Sequence, residues 1–204
     1  MPTPRLVAIA LVLAVLAGCQ AKVDAKYPGA LAACDLLTRD QAIRATDVGA
    51  KLSTAQAKES HVIVPYKYCV WSYKQPRAHW YSAYAQGPIE RRLKISVSVH
   101  TAKQHGATGA IAEYDGQRGS MVANHATVGD VPGIGEEAFL ATDDFQGLVT
   151  SRVWFRRSNA VVEVELWGTD CCVQKTVETQ MQAANRRRLL LAAATAADRT
   201  LQGR

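Results

Sequence analysis

The stretch that decides the fold is RVWFRRSNAVVEVEL, residues 152–166. Apolar and polar residues alternate on both sides of Ser158–Asn159, as expected for two antiparallel strands joined by a two-residue turn. A single register aligns an apolar ladder on the core side and opposite charges on the outer side. The predicted cross-strand pairs are Phe155 with Val162, Val153 with Val164, Arg152 with Glu165, and Trp154 with Glu163. The stretch therefore predicts a β-hairpin within an antiparallel sheet.

Further strands are predicted on the N-terminal side of the hairpin. Residues 66–73 are dense in aromatic and other β-favouring residues, and residues 138–142 form a short apolar run. Residues 92–101 alternate most clearly, with Leu93, Ile95, Val97 and Val99 on one face and Arg92, Lys94, Ser96, Ser98 and His100 on the other. This alternation predicts a half-buried strand with one solvent-exposed face.

Helices are predicted at both ends of the domain and once in the middle. Thr38 and Gln41 form a capping-box pair that opens a short helix, which ends near Gly49. Residues 107–118 have a helical pattern that Gly109 and Gly116 weaken. A long last helix is predicted from Val173 to about Leu201, capped by Thr169 or Asp170.

Three consecutive arginines, Arg186 to Arg188, interrupt the apolar surface of the last helix. Three adjacent positions span most of a helix circumference, so at least one arginine must lie near the packed side, where it snorkels or pairs with an acid. Together the elements predict an α+β fold, in which an antiparallel β-sheet packs on one face against an N-terminal helix and a long C-terminal helix.

The amino terminus predicts export and lipidation. Arg5 is followed by an apolar run from Leu6 to Leu16, which is too short to span a bilayer and fits a secretory signal peptide. Leu16-Ala17-Gly18-Cys19 looks like a bacterial lipobox, in which the cysteine is lipidated before cleavage. The alternative is an ordinary signal peptide that happens to meet a cysteine. We predict a signal peptide over residues 1–18, a lipidated Cys19 with a tether over residues 19–33, and a single domain over residues 34–204.

Lipid on Cys19 predicts a cell-membrane lipoprotein that is anchored on the extracytoplasmic face. Each buried methylene of an acyl chain such as palmitate contributes roughly 0.8 kcal/mol, so two or three chains make a durable anchor. The formal net charge of +6 suits an anionic membrane surface or cell wall, or simply solubility. It is not concentrated enough to predict nucleic-acid binding.

Cysteine usage fits an exported protein. Four cysteines remain besides Cys19, and they allow three pairings. We favour Cys34–Cys69, which would close a loop worth roughly 3–4 kcal/mol in the chain-entropy model. Cys171 and Cys172 are adjacent in sequence, and they are either bonded to each other or reduced and buried.

Few residues suggest catalysis, so we predict a non-enzyme without cofactor or metal. Residues 133–138 match a dinucleotide fingerprint on paper, but they follow Pro132 rather than a strand, and two glutamates would repel a pyrophosphate. A turn that leads into a strand is the simpler interpretation. The histidines do not have metal-ligand spacing, although Cys171 and Cys172 could hold a soft metal with a nearby histidine. No nucleophile elbow, C-x-x-C pair or carboxylate dyad is found.

An aromatic loop is the most suggestive feature outside the predicted core. Its aromatics beside a basic residue are typical of an exposed recognition surface, and the alternative is that Trp80 and Tyr84 simply cover the edge of the sheet. The candidate ligand-binding residues are Arg77, Trp80, Tyr81 and Tyr84.

Several short motifs occur together in one family. They are Cys34-Asp35-Leu36-Leu37-Thr38, Cys69-Val70-Trp71, the run from Val131 to Phe139, and the strand pair around Arg156 to Ala160. In this order, and after a lipobox, the chain resembles the DUF3558 lipoproteins of actinobacteria from Cys34 to the last helix. The resemblance implies a Cys34–Cys69 disulfide and an outward-facing lipoprotein, and it implies no activity. Cys171-Cys172 is not part of the family pattern.

The sequence thus predicts a non-catalytic binding or interaction module of the cell envelope. Its expected partners are the membrane, through the lipid, and an envelope protein or small ligand. The alternative is an enzyme, or an accessory subunit of one, that acts on cell-wall or lipid substrates and therefore needs a deep pocket with a perturbed acid or base.

Overall fold

The computed structural model describes residues 25–48, 52–59, 66–74, 89–145, 148–170 and 179–204. Short 3-10 turns occur at Ala33–Asp35 and Ala102–Gln104. The helices are α1 (Arg39–Thr46), α2 (Gly106–Ala123) and α3 (Ala183–Gln202). The strands are β1 (Ser53–Glu59), β2 (Tyr66–Lys74), β3 (Glu90–Val99), β4 (Thr127–Asp130), β5 (Glu137–Phe145), β6 (Leu148–Arg157), β7 (Ala160–Asp170) and β8 (Thr179–Gln180). The fold is α+β, with an N-terminal helix and a long C-terminal helix, as predicted.

The described strands form one antiparallel sheet in the order β1-β2-β3-β7-β6-β5-β4, and β8 pairs with the end of β7. The predicted hairpin is β6–β7, and its register is confirmed: Phe155 pairs with Val162, Val153 with Val164, Arg152 with Glu165, and Trp154 with Glu163. Ser158 in the turn has a left-handed φ of 51°, which suits a tight turn whose twist matches its strands.

One face of the sheet carries the larger core and is covered by α1 and α3. The predicted capping box is present, because Thr38 accepts from the Gln41 backbone while the Gln41 side chain accepts from the Thr38 backbone. From α3, Leu190 and Leu201 are fully buried, and burying each such side chain contributes roughly 2 kcal/mol. Among the described helices, none is long and apolar enough to cross a membrane.

The predicted disulfide joins the start of the domain to the sheet. Cys34, in the first 3-10 turn, is bonded to Cys69 of β2, with their Cα atoms 5.0 Å apart. Cys69 is fully buried in the larger core. The bond closes a loop with a sequence separation of 35, for which the chain-entropy model gives roughly 3–4 kcal/mol.

The opposite face of the sheet is covered by α2, which corrects the expectation that the helices lie on one face. Tyr114 of α2 packs edge-on against Phe139 of β5, with ring centroids 5.3 Å apart. Because α2 lies over β3, the side chains of Ser96, Ser98 and His100 are buried. The prediction that this face of residues 92–101 is solvent-exposed is therefore wrong for these three residues.

Gly109 allows α2 to approach β3 closely. A Cβ atom at this position would lie 2.2 Å from the Gln104 carbonyl oxygen and 2.6 Å from Nδ1 of His100. A glycine that weakens the helical pattern in the sequence is thus required by the packing in the structure.

The last helix starts later than predicted. α3 begins at Ala183 rather than near Val173, and the predicted capping residues Thr169 and Asp170 belong to β7. They pair there with Gln180 and Thr179 of β8, and a chain that pairs as a strand cannot at the same time be helical.

The described part of the chain starts against the hairpin turn. The Tyr27 backbone N–H donates to Oδ1 of Asn159 at 2.9 Å, and Nδ2 of Asn159 donates to the Tyr27 carbonyl at 2.8 Å. The buried Tyr27 hydroxyl donates to the Leu201 carbonyl at the end of α3, at 3.0 Å. We call this region, with Ser158–Asn159, the Tyr27 end. Tyr27 and Ala33 lie in the core, so the domain takes in part of the segment 19–33 that was expected to be a tether.

The other end of the sheet is formed by the opposite strand ends. Lys74 of β2 pairs with Glu90 of β3, and Phe145 of β5 pairs with Leu148 of β6. β7 ends here, where Glu90 pairs with Thr169. β8 pairs with the end of β7, and α3 starts at Ala183, shortly after β8, so α3 also starts in this region. We call this region the far end. The length of β3, at about 3.3 Å per residue, separates it from the Tyr27 end by roughly 30 Å.

Candidate functional site

An open cleft of about 950 Å³ lies at the far end. It extends from the C-terminal end of α2 to the first turn of α3, and it passes along β5 and β6 where these strands approach their connection. This volume is within the usual range of small-molecule sites. Strands β5 and β6 and helix α3 contribute six polar residues to the lining of the cleft: Thr142, Asp143, Asp144, Thr150, Arg152 and Arg186.

Arg186 places a buried positive charge on the wall of the cleft. Its side chain is 4% exposed, and its position in the first turn of α3 turns it towards the sheet. Nε donates to Oγ of Ser151 at 2.8 Å, and Nη1 donates to the Met181 carbonyl at 2.9 Å. Both partners are neutral. Burial without a carboxylate lowers the pKa of the Arg186 guanidinium, because low-dielectric surroundings disfavour the charged form.

Arg152 lies on the other side of β6 and is surrounded by acids. Its guanidinium contacts Asp143 at 2.5 Å, Glu165 at 3.0 Å and Glu163 at 3.5 Å. Burial opposes the charged form, but the hydrogen bond that Arg152 donates to Asp143 and the attraction of Glu165 outweigh it, so the pKa of Arg152 is raised. The two arginines at this cleft therefore differ in whether the protein supplies their counter-charge.

Two hydroxyl groups link Arg186 to the opening of the cleft. Oγ of Ser151 lies 3.1 Å from Oγ1 of Thr142. Ser151 is buried and accepts from Arg186. Either hydroxyl can donate in the contact between Ser151 and Thr142, and Thr142 is half-buried and lines the cleft, so it places a hydroxyl group at the cleft wall.

A second, smaller pocket of about 210 Å³ lies beneath α2. The Ser98 hydroxyl reaches the Glu113 carboxylate at 2.8 and 2.9 Å, and Nε2 of His100 lies 2.6 Å from the same carboxylate. Serine, histidine and acid are thus present, but the carboxylate stands between the other two. A histidine base must contact the serine hydroxyl directly to activate it. This arrangement ties α2 to β3 and does not resemble a nucleophilic triad.

The same pocket continues along the sheet through Glu163. Oγ of Ser96 donates to Glu163 at 3.0 Å, and Nζ of Lys94 approaches the same oxygen at 3.3 Å. Glu163 also contacts Arg152. Each charged group in this network has an opposite charge beside it, which is the usual condition for burying charges without a ligand.

The glycine-rich turn is confirmed as a turn that leads into a strand. Gly133 and Gly135 have left-handed φ values of 82° and 63°, and β5 rather than a helix follows them. Glu136 and Glu137 both contact the guanidinium of Arg156, at 2.5 and 2.6 Å. These acids therefore brace β6 and leave no helix N-terminus to hold a phosphate.

The predicted site residues are only partly visible in the structure. Cys34 and Cys69 are bonded as predicted. Cys19, Arg77, Trp80, Tyr81, Tyr84, Cys171 and Cys172 lie outside the described residues. Lys74 and Glu90, the strand residues that precede and follow the aromatic segment in the sequence, are paired at the far end.

The described histidines are dispersed as the sequence suggested. His100 is buried beneath α2, and His125 borders the cleft. His105 follows the second 3-10 turn, while His61 and His79 lie outside the described residues. Within the described ranges, no group of three or more His, Cys, Asp or Glu residues could hold a metal ion.

The sequence predicts that at least one of the three arginines, Arg186 to Arg188, lies near the packed side of the helix, but it does not indicate which one. Arg186 is the buried one, while Arg187 and Arg188 are exposed. Among the described residues, Arg186 bonds to neutral oxygens and not to an acid, which was one of the two predicted alternatives.

Comparison of the chain with family models, curated proteins and solved structures finds no match. The resemblance to DUF3558 lipoproteins therefore stays a prediction.

Proposed function

We propose that the protein is a membrane-anchored extracytoplasmic lipoprotein that acts as a non-catalytic binding module of the cell envelope. Its ligand site in this proposal is the far-end cleft. Lipid on Cys19 holds the domain at the membrane, and the cleft faces away from it. The proposal includes membership of the DUF3558 lipoproteins, on the motifs quoted above.

The observation that carries the proposal is the placement of cleft and tether at opposite ends of the sheet. Ala25, the first described residue, follows Cys19 by six positions, and a chain of this length reaches at most about 20 Å. Tyr27 is held beside Asn159 and Leu201. The cleft is lined by Asp144 and Ala183, roughly 30 Å away by the length of the strands. A lipid on Cys19 would therefore leave the cleft accessible.

The disulfide supports an extracytoplasmic location. Bonds such as Cys34–Cys69 form and persist in oxidising compartments and are rare in the cytosol. This support is independent of the lipobox.

We favour binding over the alternative of an envelope enzyme because of the polar pocket beneath α2. There the Ser98 hydroxyl is engaged by Glu113 rather than by His100. At the cleft, Arg186 is suited to holding a charged group, whereas a hydrolytic site also needs a positioned nucleophile or activated water.

The anchor is tested by intact-mass analysis and membrane fractionation of the wild type and a Cys19→Ala variant. We expect the wild type in the membrane fraction with an acylated Cys19 at its amino terminus. The variant should not be acylated and should leave the membrane fraction. A wild-type amino terminus without lipid, with the leader retained or cut elsewhere, would contradict the proposal.

The cleft is tested by thermal unfolding of the full lipoprotein in detergent with a small-molecule extract of its own envelope. Ala183→Trp places a bulky ring in the cleft at an exposed position, and Ala192→Trp makes the same change further along α3, at an exposed position away from the cleft. We expect the extract to raise the Tm of the wild type and of Ala192→Trp but not of Ala183→Trp. Equal Tm shifts in both variants, or no shift in the wild type, would remove the cleft as the site.

A further inference from the structure

The cleft contains a positive charge, on Arg186, that no carboxylate of the described residues contacts. Arg186 is nearly fully buried, and its hydrogen-bond partners among the described residues are the Ser151 hydroxyl and the Met181 carbonyl. Burying a guanidinium without an opposite charge is unfavourable. Two other inward-facing arginines have carboxylates beside them: Glu136 and Glu137 contact Arg156, and Asp198 contacts Arg157.

The hydrogen-bonding capacity of Arg186 is only partly used. Nε and one hydrogen of Nη1 are engaged, and Nη2 makes no hydrogen bond to the described part of the chain. Since Arg186 lines the cleft, its outer edge can present two or more N–H donors to a ligand. A planar fork of this kind matches the spacing of oxygen atoms in a carboxylate or a phosphate.

Two further donors adjoin Arg186. The Thr142 hydroxyl lines the cleft and can donate to a ligand when Ser151 is the donor in the contact between these two hydroxyls. The first turn of α3 begins at Ala183, which lines the cleft, and Gln182 makes no side-chain capping bond there. The first backbone N–H groups of a helix carry partial positive charge and have no acceptor within the helix. They add to the positive potential around Arg186.

Acidic residues also line the cleft, and their positions limit the anionic group to one part of it. Asp143 faces the α2 side of the sheet and is neutralised by Arg152. Asp144 lies on the Arg186 side of β5 and is exposed. An anion is therefore favoured at the inner wall, beside Thr142 and Arg186.

We infer that Arg186 is the receptor for an oxyanion, a carboxylate or a phosphate group, of the ligand that occupies the far-end cleft. This inference rests on the proposed function and names the chemistry of the same site. The rest of the ligand lies along the cleft, between Asn124, which follows α2, and Thr150 of β6.

The test is calorimetric titration of the full lipoprotein in detergent, with inorganic phosphate and separately with acetate, at constant ionic strength. Arg186→Met removes the receptor charge, and Arg187→Met removes the same charge from an exposed neighbouring position that does not line the cleft. We expect saturable binding of at least one anion to the wild type and to Arg187→Met. Its Kd should rise about ten- to a hundredfold in Arg186→Met, because a charged hydrogen-bond donor is lost.

The pattern of binding decides between the possible outcomes. Binding of phosphate alone indicates a phosphorylated ligand, and binding of acetate alone indicates a carboxylate. Saturable binding of neither anion, or equal Kd values for Arg186→Met and the wild type, overturns the inference. Should Arg186→Met fail to fold by circular dichroism, Ala183→Trp replaces it, and undiminished anion binding by that variant has the same meaning.

Failure of this inference is distinct from failure of the proposed function. If the envelope extract still raises the Tm of the wild type but not that of Ala183→Trp, while neither anion binds, the cleft recognises its ligand by other chemistry. If the extract has no effect on the wild type either, the proposed function itself is wrong.

Discussion

The Tyr27 end and the far end differ in how completely the protein satisfies its own polar groups. At the Tyr27 end, Asn159 bonds to the backbone of Tyr27 and of His100, and Arg157 makes two bonds to Asp198, at 2.6 and 3.0 Å. At the far end, Arg186 lines an open cleft with only neutral partners among the described residues. A closed network stabilises the fold, whereas an open one leaves binding capacity for a ligand.

The largest effect is expected where the closed network is broken. Arg157→Met leaves Asp198, which is nearly fully buried, without its bidentate partner. We expect the free energy of unfolding to fall by about 3 kcal/mol, since removing one member of a buried pair strands the other charge. The measurement is denaturant unfolding of the purified protein.

The control for Arg157→Met is Arg118→Met, which breaks an exposed pair with Asp130. Exposed pairs contribute less than about 1 kcal/mol. Similar small losses in both variants would mean that the Tyr27 end is not held by its charge network.

A smaller effect is expected for the Tyr27 hydroxyl, and it depends on pH. Tyr27→Phe removes the bond to the Leu201 carbonyl and should cost about 1 kcal/mol at neutral pH. Burial, together with Asp198 and Glu136 and against Arg157, raises the pKa of Tyr27 above its ordinary value of 10.0. Above pH 10 the unfolded chain loses this proton while the folded chain keeps it, so stability falls as the pH rises.

The measurement for Tyr27 is the free energy of unfolding between pH 8 and pH 11. The wild type should lose stability more steeply above pH 10 than Tyr27→Phe, so that the two curves converge. Tyr66→Phe, at a partly exposed ring, is the matched control. Parallel wild-type and Tyr27→Phe curves over the whole range would show that the hydroxyl is not buried in the way described.

Elements with a local sequence signal are predicted better than elements whose pairing depends on the rest of the sheet. The β6–β7 register was predictable because alternation and the Arg152–Glu165 pair are local signals within one hairpin. The Thr38 capping box was equally local. β1, with the sequence STAQAKE, lacks such a signal and was missed, because its pairing with β2 depends on the rest of the sheet.

The candidate site depended on information that the sequence pattern does not contain. The alternation of β3 predicts an exposed polar face, because nothing in the alternation shows that α2 covers this face in the structure. Arg186 was noticed within its triplet, but its direction depends on where α3 begins, and β8 shifts that start to Ala183. Its neutral partners among the described residues, Ser151 and Met181, are determined by the tertiary structure and cannot be inferred from the sequence pattern.

The smallest effect on stability is expected at Arg186, and it is the most informative. Arg186→Met makes the same substitution as Arg157→Met, at a residue that is even more deeply buried. Because no carboxylate is stranded, and because the unfavourable burial of a lone charge is relieved, we expect ligand-free stability to change by less than about 1 kcal/mol. The lost bonds to Ser151 and Met181 offset part of that relief. If Arg186→Met instead destabilises the protein as much as Arg157→Met does, then Arg186 holds the fold together, and its charge is not reserved for a ligand.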